Sequence, residues 1–254
     1  MAKTASRPDE GRMTLMEHLA ELRKRLIISF AAVAVGAIVC WVAYPQIIEF
    51  LLRPYCDTKS AEESCRLYVQ NPLEPLNVRL SVASYGGIIL AMPMVLWQLW
   101  RFISPGLKPR EKRYAIPFMF SGVALFALGG GLAYWSLPRA LQFLQSLGGA
   151  SFEEIFSPIE YVGFVIKMIV AFGIGFEFPI LLIFLQILGI LHNRTLRAVR
   201  QYAIVGIVIA VAVITPSGDP YTLMVMSVPM YLFYEIAIVF GRVRERRRKS
   251  TEVG

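Results

Sequence analysis

Three carboxylates stand where an acid is expensive or outnumbered. Glu177 lies in Ala171-Phe172-Gly173-Ile174-Gly175-Phe176-Glu177-Phe178-Pro179, inside a long apolar run. A carboxyl at such a depth in a membrane costs about 2.5–3.5 kcal/mol on insertion scales, which marks it as a functional candidate. Lys167 is ten residues earlier, about 15 Å along a helix and too far for a direct pair. Glu111 is the only acid among Arg101, Lys108, Arg110, Lys112 and Arg113. It either neutralises Lys108 or Arg110 locally or accepts an external cation near a membrane surface. Glu21 lies in Glu17-His18-Leu19-Ala20-Glu21-Leu22-Arg23-Lys24-Arg25-Leu26. It can pair with Arg25 at i,i+4, in which case the segment is simply an interfacial anchor. Glu235 falls near the end of the last apolar stretch, and escape to the interface is its expected fate.

Catalytic signatures are missing. The chain contains no G-x-S-x-G, H-E-x-x-H or P-loop pattern. With two histidines and no C-x-x-C, no metal or other cofactor is expected, and the chain does not read as an enzyme. Gly129, Gly130 and Gly131 lie within an apolar stretch, where close helix packing explains them better than phosphate binding. Of the three cysteines, Cys40 reads as a buried thiol. Cys56 and Cys65 share one loop on the side expected to be external, where a disulfide is permitted.

The elements that carry these residues are membrane helices. Of 254 residues, 56% are hydrophobic and 17% charged, and mean hydropathy is +0.55. A soluble domain carries about 25% charged residues, so this chain cannot cover itself with a wetted surface. A span needs about 20 apolar residues. Six stretches qualify, at about 26–44, 78–100, 115–137, 159–188, 202–214 and 221–240. The last two read as a short hairpin around Thr215-Pro216-Ser217-Gly218-Asp219-Pro220, a run dense in turn formers. Ahead of the first span, Thr14-Leu15-Met16-Glu17 matches a capping box. Leu15, Leu19, Leu22 and Leu26 form one stripe of an amphipathic helix, with Glu17, Glu21 and Lys24 opposite and Arg23 at its flank.

Charge sets the orientation. The net charge is +8, which in a soluble protein would suggest nucleic acid. Here the tail 1–25, the second-to-third connection, the fourth-to-fifth connection and the C-terminal tail hold 20 of 26 Lys and Arg. Basic residues collect on the cytoplasmic side, so both termini are expected there, and nucleic acid is not an expected partner. The polar start followed by a long apolar run does not read as a cleavable signal peptide. The expected architecture is an all-α integral membrane protein with six transmembrane helices, the last two short, forming a concave single bundle. The expected organisation is a cytoplasmic tail over 1–25, a membrane domain over 26–240 and a basic tail over 241–254.

Glu17-His18-Leu19 through Leu26 resembles the H-L-x-E-L-R-x-R-L signature that opens the TatC family, the multispanning core of the twin-arginine protein translocase. Four further stretches are similar to that family in order: Met92-Pro93 to Trp100 with Phe102 and Pro105-Gly106-Leu107 to Glu111; Ala171 to Pro179; Thr215-Pro216 to Asp219-Pro220; and Pro229 to Glu235. The resemblance implies a receptor, in the cytoplasmic membrane, for the signal peptides of folded proteins that carry paired arginines. It implies assembly with the single-span proteins TatA and TatB and with further copies of itself, embedded in membrane lipid. Transport would be driven by the proton-motive force without nucleotide. By the same resemblance, Glu21 and Glu111 bind the signal peptide with Arg23 in the same site. Glu177, Phe102, Pro54 and Asp219 serve partners or translocation. A guanidinium is a fixed fork of donors suited to a carboxylate, and two carboxylates on one face could read two arginines. Cys56 and Cys65 lie outside the family pattern. A carrier coupled through Glu177 is the other reading, but carriers commonly show paired interrupted spans, and no such pair is visible here.

Overall fold

A computed structural model describes residues 15–58, 67–103, 115–148 and 156–252. Its elements are α1 (Leu15–Val42), α2 (Tyr44–Cys56), α3 (Glu74–Ile103), α4 (Ala115–Gly148), α5 (Pro158–Ile187), α6 (Asn193–Ala198), α7 (Arg200–Ile214) and α8 (Pro220–Glu252). No strand occurs among the described residues. Five helices are long and apolar enough to cross a membrane, and α7 is apolar but has only 15 residues.

Two ends can be distinguished. Residues 15–30, 95–103, 115–122, 180–200 and 234–252 lie toward the end carrying the basic connections, called here the basic end. Trp41, α2, Glu74, Ser157 and Asp219 lie toward the other, the far end. α1 packs chiefly on α3, α4 on α5, and α5 also touches α3 and α8. Small residues set these distances. A Cβ on Gly36 would stand 2.8 Å from the Gly87 carbonyl oxygen, so α1 and α3 meet backbone to backbone. A Cβ on Gly129 would stand 2.6 Å from the Phe172 carbonyl oxygen, which joins α4 to α5 in the same way. Of the three adjacent glycines, Gly131 has open space beside it.

α5 is the central helix. Val162, Val165, Met168, Phe172 and Phe176 are fully buried, while Leu19, Leu22 and Leu26 of α1 point outward at 58%, 41% and 52% exposure. Those leucines are the expected stripe, and an apolar solvent is what they suit. Tail and span are continuous at both ends of the chain: positions 25 and 241 fall inside α1 and α8.

Three element boundaries differ from expectation. The last helix is not short. α8 holds 33 residues and its apolar part runs over Pro220–Glu245. Arginine and lysine are good helix formers, so the basic tail prolongs the helix. Arg244 there donates to the Gln186 and Ile187 carbonyls at 2.7 and 3.1 Å, satisfying the open end of α5. α4 passes the expected end at 137 and reaches Gly148, with Pro138 inside it. The chain also turns at Ala43 into α2, whose 13 residues are shorter than a span and which contains Pro54. Pro54 removes the N–H that would bond the Phe50 carbonyl. The Tyr134 hydroxyl of α4 donates to that carbonyl at 2.8 Å instead, and the two rings stack at 4.3 Å.

At the far end one carboxylate ties two connections together. Glu74, 4% exposed, accepts from Gln70 N at 2.9 Å, from Ile159 N at 3.1 Å and from the Ser157 hydroxyl. It thereby places a negative charge at the N-terminus of both α3 and α5, where the helix dipoles favour it. Two arginines with aromatic neighbours complete this end. Arg79 lies 4.4 Å from the Trp41 ring centre and donates to the Trp41 carbonyl at 3.1 Å. Arg139 lies 4.9 Å from the Trp135 ring centre and donates to the Tyr221 hydroxyl.

Candidate functional site

Two places in the fold hold an acid whose hydrogen bonding is incomplete. The first is at the basic end, between α1 and α3. Arg25 Nη2 donates to Glu21 Oε1 at 2.9 Å, and Arg25 Nη1 donates to Gln98 Oε1 at 3.2 Å. The two charged side chains are only 14% and 16% exposed, and Gln98 is buried. Glu21 Oε2 and Arg25 Nε are buried with no partner among the described residues. One turn before Glu21, the His18 ring stacks on Phe102 at 4.4 Å. The sequence therefore folds Glu21 and Phe102 to the same end.

Arg23 is exposed on α1. Two residues along a helix is about 200° around it, so Arg25, not Arg23, is the side chain that holds Glu21. Glu111 lies outside the described residues. Gln98 was not foreseen. The signal available for it was an amide inside the apolar run from Met92 to Trp100.

The second place is around Glu177. It lines a cavity of about 780 Å³ bounded by α3, α4, α5, α7 and α8. The walls are almost wholly apolar, with Trp100, Phe118, Phe184, Ile207 and Met230 among them. Glu177 Oε1 is buried and has no partner, and the carboxylate stands against Gly122, within 3.2 Å of where a Cβ would be. Pro179 removes the N–H that would bond the Gly175 carbonyl, and Gly175 also lines the cavity. The cavity thus holds one buried acceptor, Glu177 Oε1, without a donor among the described residues. Glu235, expected to escape to the interface, is paired with the half-exposed Arg200 and accepts from the Tyr231 hydroxyl at 2.9 Å, which fastens α7 to α8.

The remaining candidates are at the far end. Asp219 is 1% exposed. It caps α8, accepting from Thr222 N at 2.7 Å and from the Thr222 hydroxyl. Pro54 is buried in α2. Cys40 is a free buried thiol. Cys56 is disulfide-bonded, and Cys65 lies outside the described residues.

A family model described as Sec-independent protein translocase protein (TatC) matches residues 17–229. The chain belongs to the TatC family. A TatC of Koribacter versatilis is 39% identical over 94% of this chain and 91% of its own length. One of Aquifex aeolicus is 38% identical over 94% of this chain and 99% of its own. A crystal structure of the twin-arginine translocase receptor TatC superposes with a TM-score of 0.73 at 39% identity, covering 89% of this chain and 99% of that one. A second structure of that receptor, in DDM, gives 0.74 at 40% identity. As a TatC-family member with several membrane-length helices, the chain is a multi-pass component of a protein translocase, and its work is protein transport.

Proposed function

We propose that this chain is the signal-peptide-binding core of a twin-arginine translocase in the cytoplasmic membrane, with six spans and both termini cytoplasmic. The observation that carries the proposal is the buried, unpartnered Oε2 of Glu21 at the end where basic residues collect. A carboxylate oxygen kept out of water without a donor is costly, and an arriving guanidinium supplies two parallel N–H groups. Glu21 and Glu111 take the paired arginines of the signal peptide, with Arg23 on the same cytoplasmic surface. Phe102, stacked on His18, flanks that seat.

Glu177 faces the single-span partners TatA and TatB. An apolar cavity with one acid in its wall suits an apolar helix that brings one polar donor. Pro54 and Asp219 shape the external end, and Cys56 pairs with Cys65 there. Further copies of the chain assemble in the same lipid bilayer, and the proton-motive force drives transport. The tails 1–25 and 241–254 flank the membrane domain 26–240 on the cytoplasmic side.

Crosslinking of a twin-arginine signal peptide to the full chain tests the central statement. Glu21→Ala and Glu111→Ala should each reduce crosslinking by roughly tenfold or more, since a charged hydrogen bond contributes about 1.5–3 kcal/mol. Protein level should be unchanged. Undiminished crosslinking in the double variant would refute the assignment.

A further inference from the structure

We propose that Arg25 is an internal occupant of the seat that Glu21 offers, and that a signal peptide binds by displacing it. The inference rests on the reading of Glu21 as the peptide's acceptor and names a further residue that sets the affinity there.

Ion pairs at i,i+4 on exposed helices contribute little. This one differs in three respects. Both side chains are mostly buried, at 14% and 16% exposure. The pair is also half made: a guanidinium and a carboxylate can exchange two parallel bonds, yet Arg25 gives Glu21 one N–H, and Glu21 Oε2 and Arg25 Nε are left over. The cause is the third feature, Gln98. Its Oε1 draws off the other arm of the guanidinium at 3.2 Å. Gln98 is 4% exposed, and its amide nitrogen is held at 3.8 Å from Met94 Sδ, so it is a fixed second seat.

These facts define an exchange. A guanidinium from the cytoplasm takes both oxygens of Glu21. Arg25 lets go of Oε1 and keeps Gln98, so no buried charge is stripped of all partners. Arg25 sets the threshold that an incoming cation must pass. An arginine passes it by making two bonds where Arg25 makes one. A lysine ammonium, a point donor without that fork, meets the same displacement cost with less to gain from Glu21.

The test uses the full chain in lipid nanodiscs and two synthetic signal peptides, one with Arg-Arg and one with Lys-Lys. Binding is read by fluorescence anisotropy, and folding of each variant by thermal unfolding. Arg25→Gln should tighten Arg-Arg binding by roughly threefold to tenfold, the scale of one partly screened charged hydrogen bond. It should tighten Lys-Lys binding by a similar factor, since both peptides then escape the same cost of displacing Arg25. Gln98→Leu, which frees Arg25 to cover both oxygens of Glu21, should weaken Arg-Arg binding. If Arg25→Gln does not fold, Arg25→Lys keeps the charge but loses the fork, and should also tighten Arg-Arg binding. Weaker or unchanged Arg-Arg binding in the Arg25 variant that folds overturns the inference, because Arg25 then merely orients Glu21. Glu21→Gln separates the two levels. If it leaves binding intact, the Glu21 reading fails. If it abolishes binding while the Arg25 variant weakens it, only the role of Arg25 fails.

Discussion

Glu177 Oε1 is buried with no donor among the described residues, in a cavity whose walls are almost wholly apolar. A residue retained for the fold alone would be better as leucine, since the carboxyl costs about 2.5–3.5 kcal/mol at such a depth. Glu177→Leu should therefore accumulate to at least the normal level and bind signal peptide as before, while partner assembly and export fall. Immunoblotting beside an export assay decides it. A drop in protein level would mean that the acid is structural, and normal export would remove it from function. Legibility at this scale followed sequence distance. Glu177 stood out because its surroundings are apolar, and the Glu21–Arg25 pair because it spans one helical turn. Gln98 reaches Arg25 across 73 positions; its amide stands out in an apolar run, but no local pattern shows what it contacts. Asp219 was read as a translocation residue in a turn, while the fold also uses it as the cap of α8.

α7 is the element that fits a bilayer worst. Its 15 residues span about 22 Å, against an apolar core of about 30 Å. It packs mainly on α8 and supplies Ala203, Ile207 and Ala210 to the cavity wall. Such a mismatch is met by thinning, snorkelling or association. Inserting about one and a half apolar turns would bring α7 to the core thickness, and it should leave insertion intact while lowering export. Normal export from a well-inserted long variant would argue that the shortness has no role. Hydropathy revealed α7 correctly because its ends are marked by Arg200 and by Thr215-Pro216. It misjudged α8 and α4 because hydropathy reports the apolar segment and not the helix. α2 escaped it because its 13 residues are shorter than a span; its Pro54 is accommodated because Tyr134 supplies the hydrogen bond that the proline withholds.

For the molecule as a whole, the proposed orientation rests on charge: the six-span topology puts 20 of 26 basic residues on one side. Single cysteines placed at Ser6 and Thr251, in a background lacking the native ones, should resist a membrane-impermeant thiol reagent in intact cells and react once cells are opened. Labelling of either in intact cells would reverse the topology. The proposed topology would put Cys56 and Cys65 in the oxidising compartment, where a bridge could contribute about 2–4 kcal/mol. Alkylation without reductant should then find neither thiol free. That the chain would be a helical membrane protein was legible from composition alone. How the helices meet was not, because the contacts at Gly36 and Gly129 are set by backbones that approach from distant parts of the chain.

Glu74 adds a constraint of order in time. Its donors from Ser157 and Ile159 lie 83 and 85 positions downstream, beyond the whole of α4. A chain made only as far as α4 has the acid at the head of α3 but neither of those donors. The far end therefore cannot close until the head of α5 has been made and has packed beside α3. Its completion comes late in the making of the protein.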